Sequence, residues 1–352
     1  MLPSVPHERL LIKLESYGIS GNVLRWIRSF LTGRTQYVKV GQKKSSPCSL
    51  SSGIPQGSVL GPILFLIFIN DLPDCLSSLC KIFADDTKVY NLSNKHDTLQ
   101  DDLYALQDWS EKWHLFFNSV KCKCIYYGPK NPTRSYQFKS ENGPIVLTKA
   151  TEEKDLGVIF DPTLKFDIHI NSIISKANSM LGIIKRNFLF IDKAIFLKLY
   201  KALVRPHLEY GQIIWYPHLK RQSVSLEKVQ RRATKLVKSI ANLPYLNRLK
   251  VLELPTLKYR RLRGDLIYTY NLLKHNPDNS LLKLSTTRNT RGHELKLFRE
   301  VSKTDTRKFS FSQRVVPMWN SLNSNTVKAA NINLFKKLLD ENLKELHFIF
   351  DE

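Results

Sequence analysis

The chain has 352 residues, enough for a sizeable core in two or three subdomains, and its 42% apolar and 24% charged residues are those of an ordinary globular protein. Its charge is not ordinary: 54 Lys and Arg against 31 Asp and Glu leave +23 at pH 7, which attracts polyanions at range. The longest apolar run, Val59 to Ile69, is interrupted by Gly61 and Pro62 and falls short of the roughly 18–20 residues of a membrane span; with no secretory leader, the expected setting is intracellular, without a membrane.

The first predicted helix covers 6–17, with Leu10, Leu11 and Leu14 on one face and Gly18 as its stop. A second runs from Asn22 to about Thr32, capped by Ser20, with Val23, Leu24, Ile27, Phe30 and Leu31 inward. Gln36 to Val40 alternates like a strand, and Ser45 to Ser52 is its candidate partner. A loop punctuated by Gly53, Pro55, Gln56 and Gly57 then feeds an apolar helix, expected to be buried.

Next come Lys81-Ile82-Phe83 and Lys88-Val89-Tyr90, two short strands with Asp85 and Asp86 in or near the turn between them. Two adjacent carboxylates between apolar residues fit neither a solvated surface nor a core, because burying two like charges is costly without a cation. Hard carboxylate oxygens aimed at one point suit Mg²⁺, which in such sites serves a phosphate substrate.

Asp97 to Asn118 is amphipathic, with Leu99, Leu103, Leu106, Trp109 and Trp113 at helical spacing; Lys123 to Tyr127 reads as a strand, and 128–150 as a loop or ribbon. Lys154 to Phe160 looks like a hairpin entering a helix, and from Ile170 onward the pattern is mostly helical. Between Lys176 and Ile240 there are 14 Lys and Arg against 3 Asp and Glu, a net of +11. Within this stretch Leu226 to Val237 forms a basic amphipathic helix, with Leu226, Val229, Ala233 and Leu236 inward and Lys228, Arg231, Arg232 and Lys235 outward. Arg260, Arg261 and Arg263 form a further basic cluster. The five cysteines have no paired metal-ligand spacing and read as reduced thiols.

Two blocks, Ser52-Gly53-Ile54-Pro55-Gln56-Gly57-Ser58-Val59-Leu60-Gly61-Pro62 and Phe83-Ala84-Asp85-Asp86, stand in this order. Together they resemble the palm of a reverse transcriptase, in particular that of the non-LTR, LINE-type and jockey-like retrotransposons. The resemblance implies an α+β fold. A partial right-hand polymerase palm, an antiparallel sheet with helices, would span 1–169, followed by a helical basic thumb over 170–240 and a helical C-terminal extension over 241–352. It further implies template-primed addition of dNTP to a DNA primer on an RNA template, with two Mg²⁺ ions. Asp85 and Asp86 would hold metal and act in catalysis, and Gly53, Pro55, Gln56, Gly57 and Lys121 would position template and nucleotide. Lys121 closes an Asn118-Ser119-Val120-Lys121 pattern that recurs in the family; a plain exposed lysine at a strand edge is the alternative. Leu156 and Gly157 would support the primer end, and Lys228, Arg231, Arg232 and Lys235 would follow the nucleic-acid backbone.

The chain departs from the family at its start. The third carboxylate belongs to a block ending F-D-x-V-x-H; here Val5-Pro6-His7 matches its end and Pro3 stands at the aspartate. The expectation is therefore an N-terminally truncated polymerase, inactive alone. Two other readings stay open: an active polymerase whose start lies upstream, and a non-catalytic, domesticated nucleic-acid-binding protein using the basic thumb. Protein partners are not indicated.

Overall fold

A computed structural model describes residues 5–92, 94–128, 134–141, 143–276, 279–285 and 292–349. The chain divides into two compact units, Met1–Thr151 and Glu152–Glu352. Pro3, the position of the expected third carboxylate, lies outside the described residues, as do 129–133 and 142 of the expected ribbon.

In the first unit the two opening helices form as their periodicity requires: α1 (His7–Ser16) and α2 (Gly21–Leu31). Gly18, at φ +83°, ends α1 in the left-handed conformation that glycine adopts without steric cost. Ser20 occupies the N-cap of α2, but its side chain makes no capping hydrogen bond. Leu24, Ile27 and Leu31 are buried as expected, whereas Val23 faces solvent.

The expected long strand pair is instead two short ones. Strands β1 (Thr35–Gln36) and β4 (Cys48–Ser49) pair, and β2 (Lys39–Val40) pairs with β3 (Lys43–Lys44), all exposed. Helix α3 (Leu60–Ile69) is not the fully buried helix expected from its composition. It buries Leu64, Phe65, Phe68 and Ile69, while Ile63 and Leu66 are 50% and 52% exposed. A helix apolar on all sides has no polar face to mark its outer side.

Strands β5 (Leu79–Phe83) and β6 (Asp86–Tyr90) form an antiparallel hairpin, followed by α4 (His96–Trp113), which buries Leu103, Leu106 and Trp109. Further on, β7 (Lys123–Cys124) is shorter than expected. The 128–150 stretch supplies β8 (Gln137–Phe138), β9 (Ile145–Val146) and β10 (Thr148–Lys149), the last pairing parallel with β7. Every sheet among the described residues has two strands, and each of these pairs except β7–β10 is antiparallel.

Among the described residues the core of this unit contains one buried lysine. Lys13 is 3% exposed; its Nζ donates to the Phe68 carbonyl and to Asp71, both at 2.5 Å, and lies 3.9 Å from the Trp113 ring centre, with the Phe68 and Trp109 rings also facing it. Trp109 donates from Nε1 to the same Asp71 oxygen. Burial lowers the Lys13 pKa, and Asp71 opposes that shift.

The second unit opens with a hairpin, β11 (Glu153–Asp155) and β12 (Val158–Phe160), and is otherwise helical. The helices are α5 (Asp167–Asn187), α6 (Lys193–Leu199), α7 (Arg205–Glu209), α8 (Gln212–Trp215), α9 (Lys220–Ala233), α10 (Tyr245–Leu252), α11 (Leu257–His275), α12 (Asp305–Lys308), α13 (Phe311–Ser321), α14 (Ser324–Val327) and α15 (Ile332–Asn342). One core gathers Ile170, Ala177, Tyr200, Val204, Leu226 and Val229; another gathers Leu266, Tyr270, Val315, Trp319, Phe335 and Leu339. The three arginines of α11 are not a surface cluster. Arg260 pairs with Glu209, Arg263 with Asp340 at 2.6 Å, and Arg261 is fully buried, donating to Ser223 at 3.0 Å.

Candidate active site

The register Phe83↔Asp86 leaves Ala84 and Asp85 as a two-residue turn. Ala84 has φ +51°, a conformation that costs an L-residue roughly 1–2 kcal/mol and that turns the chain within the fewest residues. Asp85 therefore sits at the tip and Asp86 on the first strand residue beyond it. Both side chains are exposed, which corrects the expectation that the pair could not be solvated: at a hairpin tip, water reaches both carboxylates.

Strand alternation puts Asp86 on one face with Phe83, Lys81 and Lys88, because Lys81 lies directly opposite Lys88 and Phe83 opposite Asp86. The other face carries Cys80, Ile82 and Val89, which pack against the core. The sequence alone singles out the carboxylates and not these two lysines. The alternation of Lys81, Phe83, Asp86 and Lys88 around a two-residue turn was the available signal.

The Gly53–Gly57 loop is held from below. Gly53 N–H donates to the Val5 carbonyl at 2.8 Å, His7 donates from Nε2 to the Gly53 carbonyl at 2.8 Å, and Pro6 bridges to Ser52. Ser58 Oγ donates to the Pro55 carbonyl at 2.8 Å and accepts from Gly61 N–H at 3.0 Å, tying the loop to the first turn of α3. A Cβ on Gly61 would come 2.8 Å from the Pro55 carbonyl oxygen, so only glycine lets the helix approach this closely. Gly53 and Gly57 have φ of +92° and +76°, and Gln56 projects from the loop into solvent. Lys121 is exposed on a turn built on Asn118, whose carbonyl accepts the Lys121 N–H at 3.0 Å. Among the described residues no group of three His, Cys, Asp or Glu could hold a metal ion.

In the second unit Leu156 and Gly157 form the turn of the β11–β12 hairpin, with φ of +44° and +89°, the signs of a type I′ turn. The turn is cradled by Tyr210, a residue that no pattern in the sequence singles out. Tyr210 OH donates to the Leu156 carbonyl at 2.8 Å, and a Cβ on Gly157 would lie 3.0 Å from the Tyr210 ring. Behind it, Ile159 N–H donates to His169 Nδ1 at 3.2 Å, and the His169 ring centre lies 5.4 Å from that of Trp215, the two planes inclined at 59°. Burial first, and Lys176 second, lower the His169 pKa to about 4, which keeps the imidazole neutral and able to accept this bond. The hairpin thus packs with the helices of the second unit, whereas the sequence reading grouped it with 1–169.

On α9, Leu226, Val229 and Ala233 are buried and Lys228 and Arg232 are exposed; the helix ends at Ala233 rather than Val237, and beyond it Leu236 is half-buried and Lys235 exposed. Arg232 donates to Asn178 on α5 at 2.9 Å. Arg231 differs from the expectation: it is half-buried with its guanidinium 5.1 Å from the Tyr245 ring centre. No helix among the described residues is long and apolar enough to cross a membrane.

Residues 3–160 match the family model described as reverse transcriptase (RNA-dependent DNA polymerase). The chain is 32% identical over 266 residues to the RNA-directed DNA polymerase from mobile element jockey of Drosophila funebris, covering 70% of this chain and 28% of that protein. It is 31% identical over 244 residues to the jockey protein of Drosophila melanogaster, covering 64% and 26%. A third relative, the probable RNA-directed DNA polymerase from transposon X-element of Drosophila melanogaster, is 28% identical over 226 residues, covering 59% and 24%. The chain therefore spans about a quarter of the length of these relatives.

Proposed function

We propose, for a chain whose residues 3–160 belong to the reverse transcriptase family in its non-LTR, jockey-like branch, that Asp85 and Asp86 are two carboxylates of a nucleotidyl-transfer site. The observation that carries this is the tight turn that presents both carboxylates to solvent at one hairpin tip, with Lys81 and Lys88 on the face of Asp86. The donor set fits Mg²⁺, which is commonly held by one or two carboxylates together with substrate phosphates. Asp85 and Asp86 would hold it, and when bound it supplies charge stabilisation at the transferring phosphoryl group. Lys81 and Lys88 face the phosphates of the incoming dNTP or of the primer. The Gly53–Gly57 loop, held by Val5 and His7, offers Gln56 and its glycine backbone to the template and nucleotide, and Lys121 offers a proton or a positive charge to the leaving pyrophosphate.

In the second unit, the Leu156–Gly157 turn supports the primer end, and Lys228, Arg232 and Lys235 meet the phosphates of an RNA–DNA duplex. Arg231 contributes through its position against Tyr245.

Pro3 stands where the resemblance puts a third carboxylate. Losing a group that only orients a metal ligand costs about 10–100-fold, and losing a ligand itself costs more. This chain alone is accordingly expected to bind metal and nucleotide at Asp85 and Asp86 without extending a primer at an appreciable rate. The test pairs two readouts. Mn²⁺ with dNTP should broaden the amide resonances around Asp85 and Asp86, and Asp85→Asn with Asp86→Asn should abolish this. Broadening centred elsewhere would remove the pair from the site. Robust incorporation on an RNA template, abolished by Asp85→Ala, would overturn the expected inactivity and leave the site standing.

A further inference from the structure

The link between α5 and α6 turns in five residues, 188–192, and three apolar side chains project from it into solvent. Phe188 is 40% exposed, Leu189 93% and Phe190 71%. Apolar surface of this kind, placed together, marks a contact more often than a chance exposure. The tip is not slack. Ile184 and Ile191 are buried on either side of it, Phe188 N–H donates to the Ile184 carbonyl at 3.1 Å, and the Asp192 carboxylate accepts from Ile195 N–H at 2.7 Å, capping α6. Two buried anchors and a capped helix therefore hold the rings out.

The surroundings of the tip are basic. Lys185 and Arg186 end α5, Lys193 begins α6, and Lys198 and Lys201 follow; the acid among residues 185–201 is Asp192, already engaged as the cap. Lys193 also reaches Glu253 at 2.8 Å in an exposed pair.

We propose that the Phe188–Phe190 tip docks an unpaired stretch of polynucleotide, with bases stacking on the two rings and phosphates meeting Lys185, Arg186 and Lys193. The rings alone would suit a lipid surface or a protein partner. Cations on both flanks, in a chain of net charge +23, favour a polyanion, and flat bases favour exposed phenyl faces. The inference rests on the reading that this chain handles nucleic acid, and adds a base contact outside the matched residues 3–160 and apart from the cations of α9.

The test is equilibrium binding of the full chain to a labelled single-stranded oligonucleotide over a range of salt, with a blunt duplex of equal length as reference. Phe188→Ala with Phe190→Ala should weaken binding of the unpaired probe by about tenfold per ring, without changing the salt dependence or the affinity for the duplex. Phe188→Trp with Phe190→Trp should restore it. Lys185→Gln with Arg186→Gln should lower the slope of log affinity against log salt by about 1.4. Wild-type binding that the alanine pair leaves intact overturns the tip and spares the proposed function; absent binding at low salt overturns both. If the alanine pair loses only attachment to phosphatidylserine vesicles, or only self-association in sedimentation, the tip serves lipid or a second copy and the proposal falls.

Discussion

Replacing His169 by Asn should flatten the acid side of this protein's stability profile. His169 is 2% exposed, and its Nδ1 accepts the Ile159 N–H, a role that a protonated imidazole cannot fill. Burial brings its pKa from 6.5 to about 4 in the folded chain. Between those values the unfolded chain binds the extra proton and the folded chain does not, so unfolding is favoured as pH falls. At about 1.4 kcal/mol per pH unit the full window is worth roughly 3.5 kcal/mol, of which about 2 kcal/mol is lost by pH 5. Asn offers an oxygen near the position of Nδ1 and does not titrate. The assay is urea unfolding of both proteins from pH 7 to pH 4, read as the difference between them, together with NMR titration of the imidazole that disappears in the variant. A His169 resonance titrating near 6.5, or identical slopes for the two proteins, would refute the reasoning. Asp161 does not confuse the window. Burial raises its pKa, but hydrogen bonds from the Thr163 hydroxyl and from the Phe166, Thr163 and Lys165 N–H groups outweigh that and hold it below 3.8. Its contribution is present above the ordinary carboxylate value and is lost only as pH falls further, through the depressed one.

Gly157→Ala should cost about 1–2 kcal/mol from the left-handed backbone alone, with a further loss because the Tyr210 ring must yield. Tyr210→Phe should cost up to about 1 kcal/mol through the bond to the Leu156 carbonyl, and in a double-mutant cycle by thermal unfolding the two should be non-additive. Strict additivity would mean that the ring does not cradle the turn. Lys13→Met keeps much of the side chain's bulk but strips the Phe68 carbonyl of this donor and leaves Asp71 with Trp109, so urea unfolding should show a loss of about 3 kcal/mol, the lower end for a buried pair because Asp71 is partly exposed and keeps one donor. A change under about 0.5 kcal/mol would reduce the lysine to a space-filling role.

What the sequence reveals here depends on whether the deciding neighbours are near in the chain. The turn at Asp85-Asp86 and the hairpin at Leu156-Gly157 are local, and strand alternation with turn chemistry locates both. The helices α1, α2, α4 and α9 follow from spacing of their apolar residues, because a periodic face must be buried. Partners far apart in sequence are not written in any such pattern. The cluster Arg260, Arg261 and Arg263 reads as a basic surface until Glu209 and Asp340 arrive from other helices. Lys13 sits among leucines at a position that periodicity would expose, and only Phe68, Asp71, Trp109 and Trp113 explain its burial. Strand pairing is hidden for the same reason, since nothing in Lys123-Cys124 announces a parallel partner at Thr148-Lys149.

The cradle around Leu156-Gly157 also says where this chain can be cut. The family match ends at residue 160, yet the hairpin that it includes rests on Tyr210, Gly211 and His169. A fragment ending at 160 or 169 would keep the hairpin and leave Tyr210 and Gly211 behind, exposing Val158 and leaving the turn without its seat. A division after Thr151 keeps turn and seat in one piece. Shared sequence and shared folding unit end at different residues in this protein, and dissection experiments should follow the second boundary.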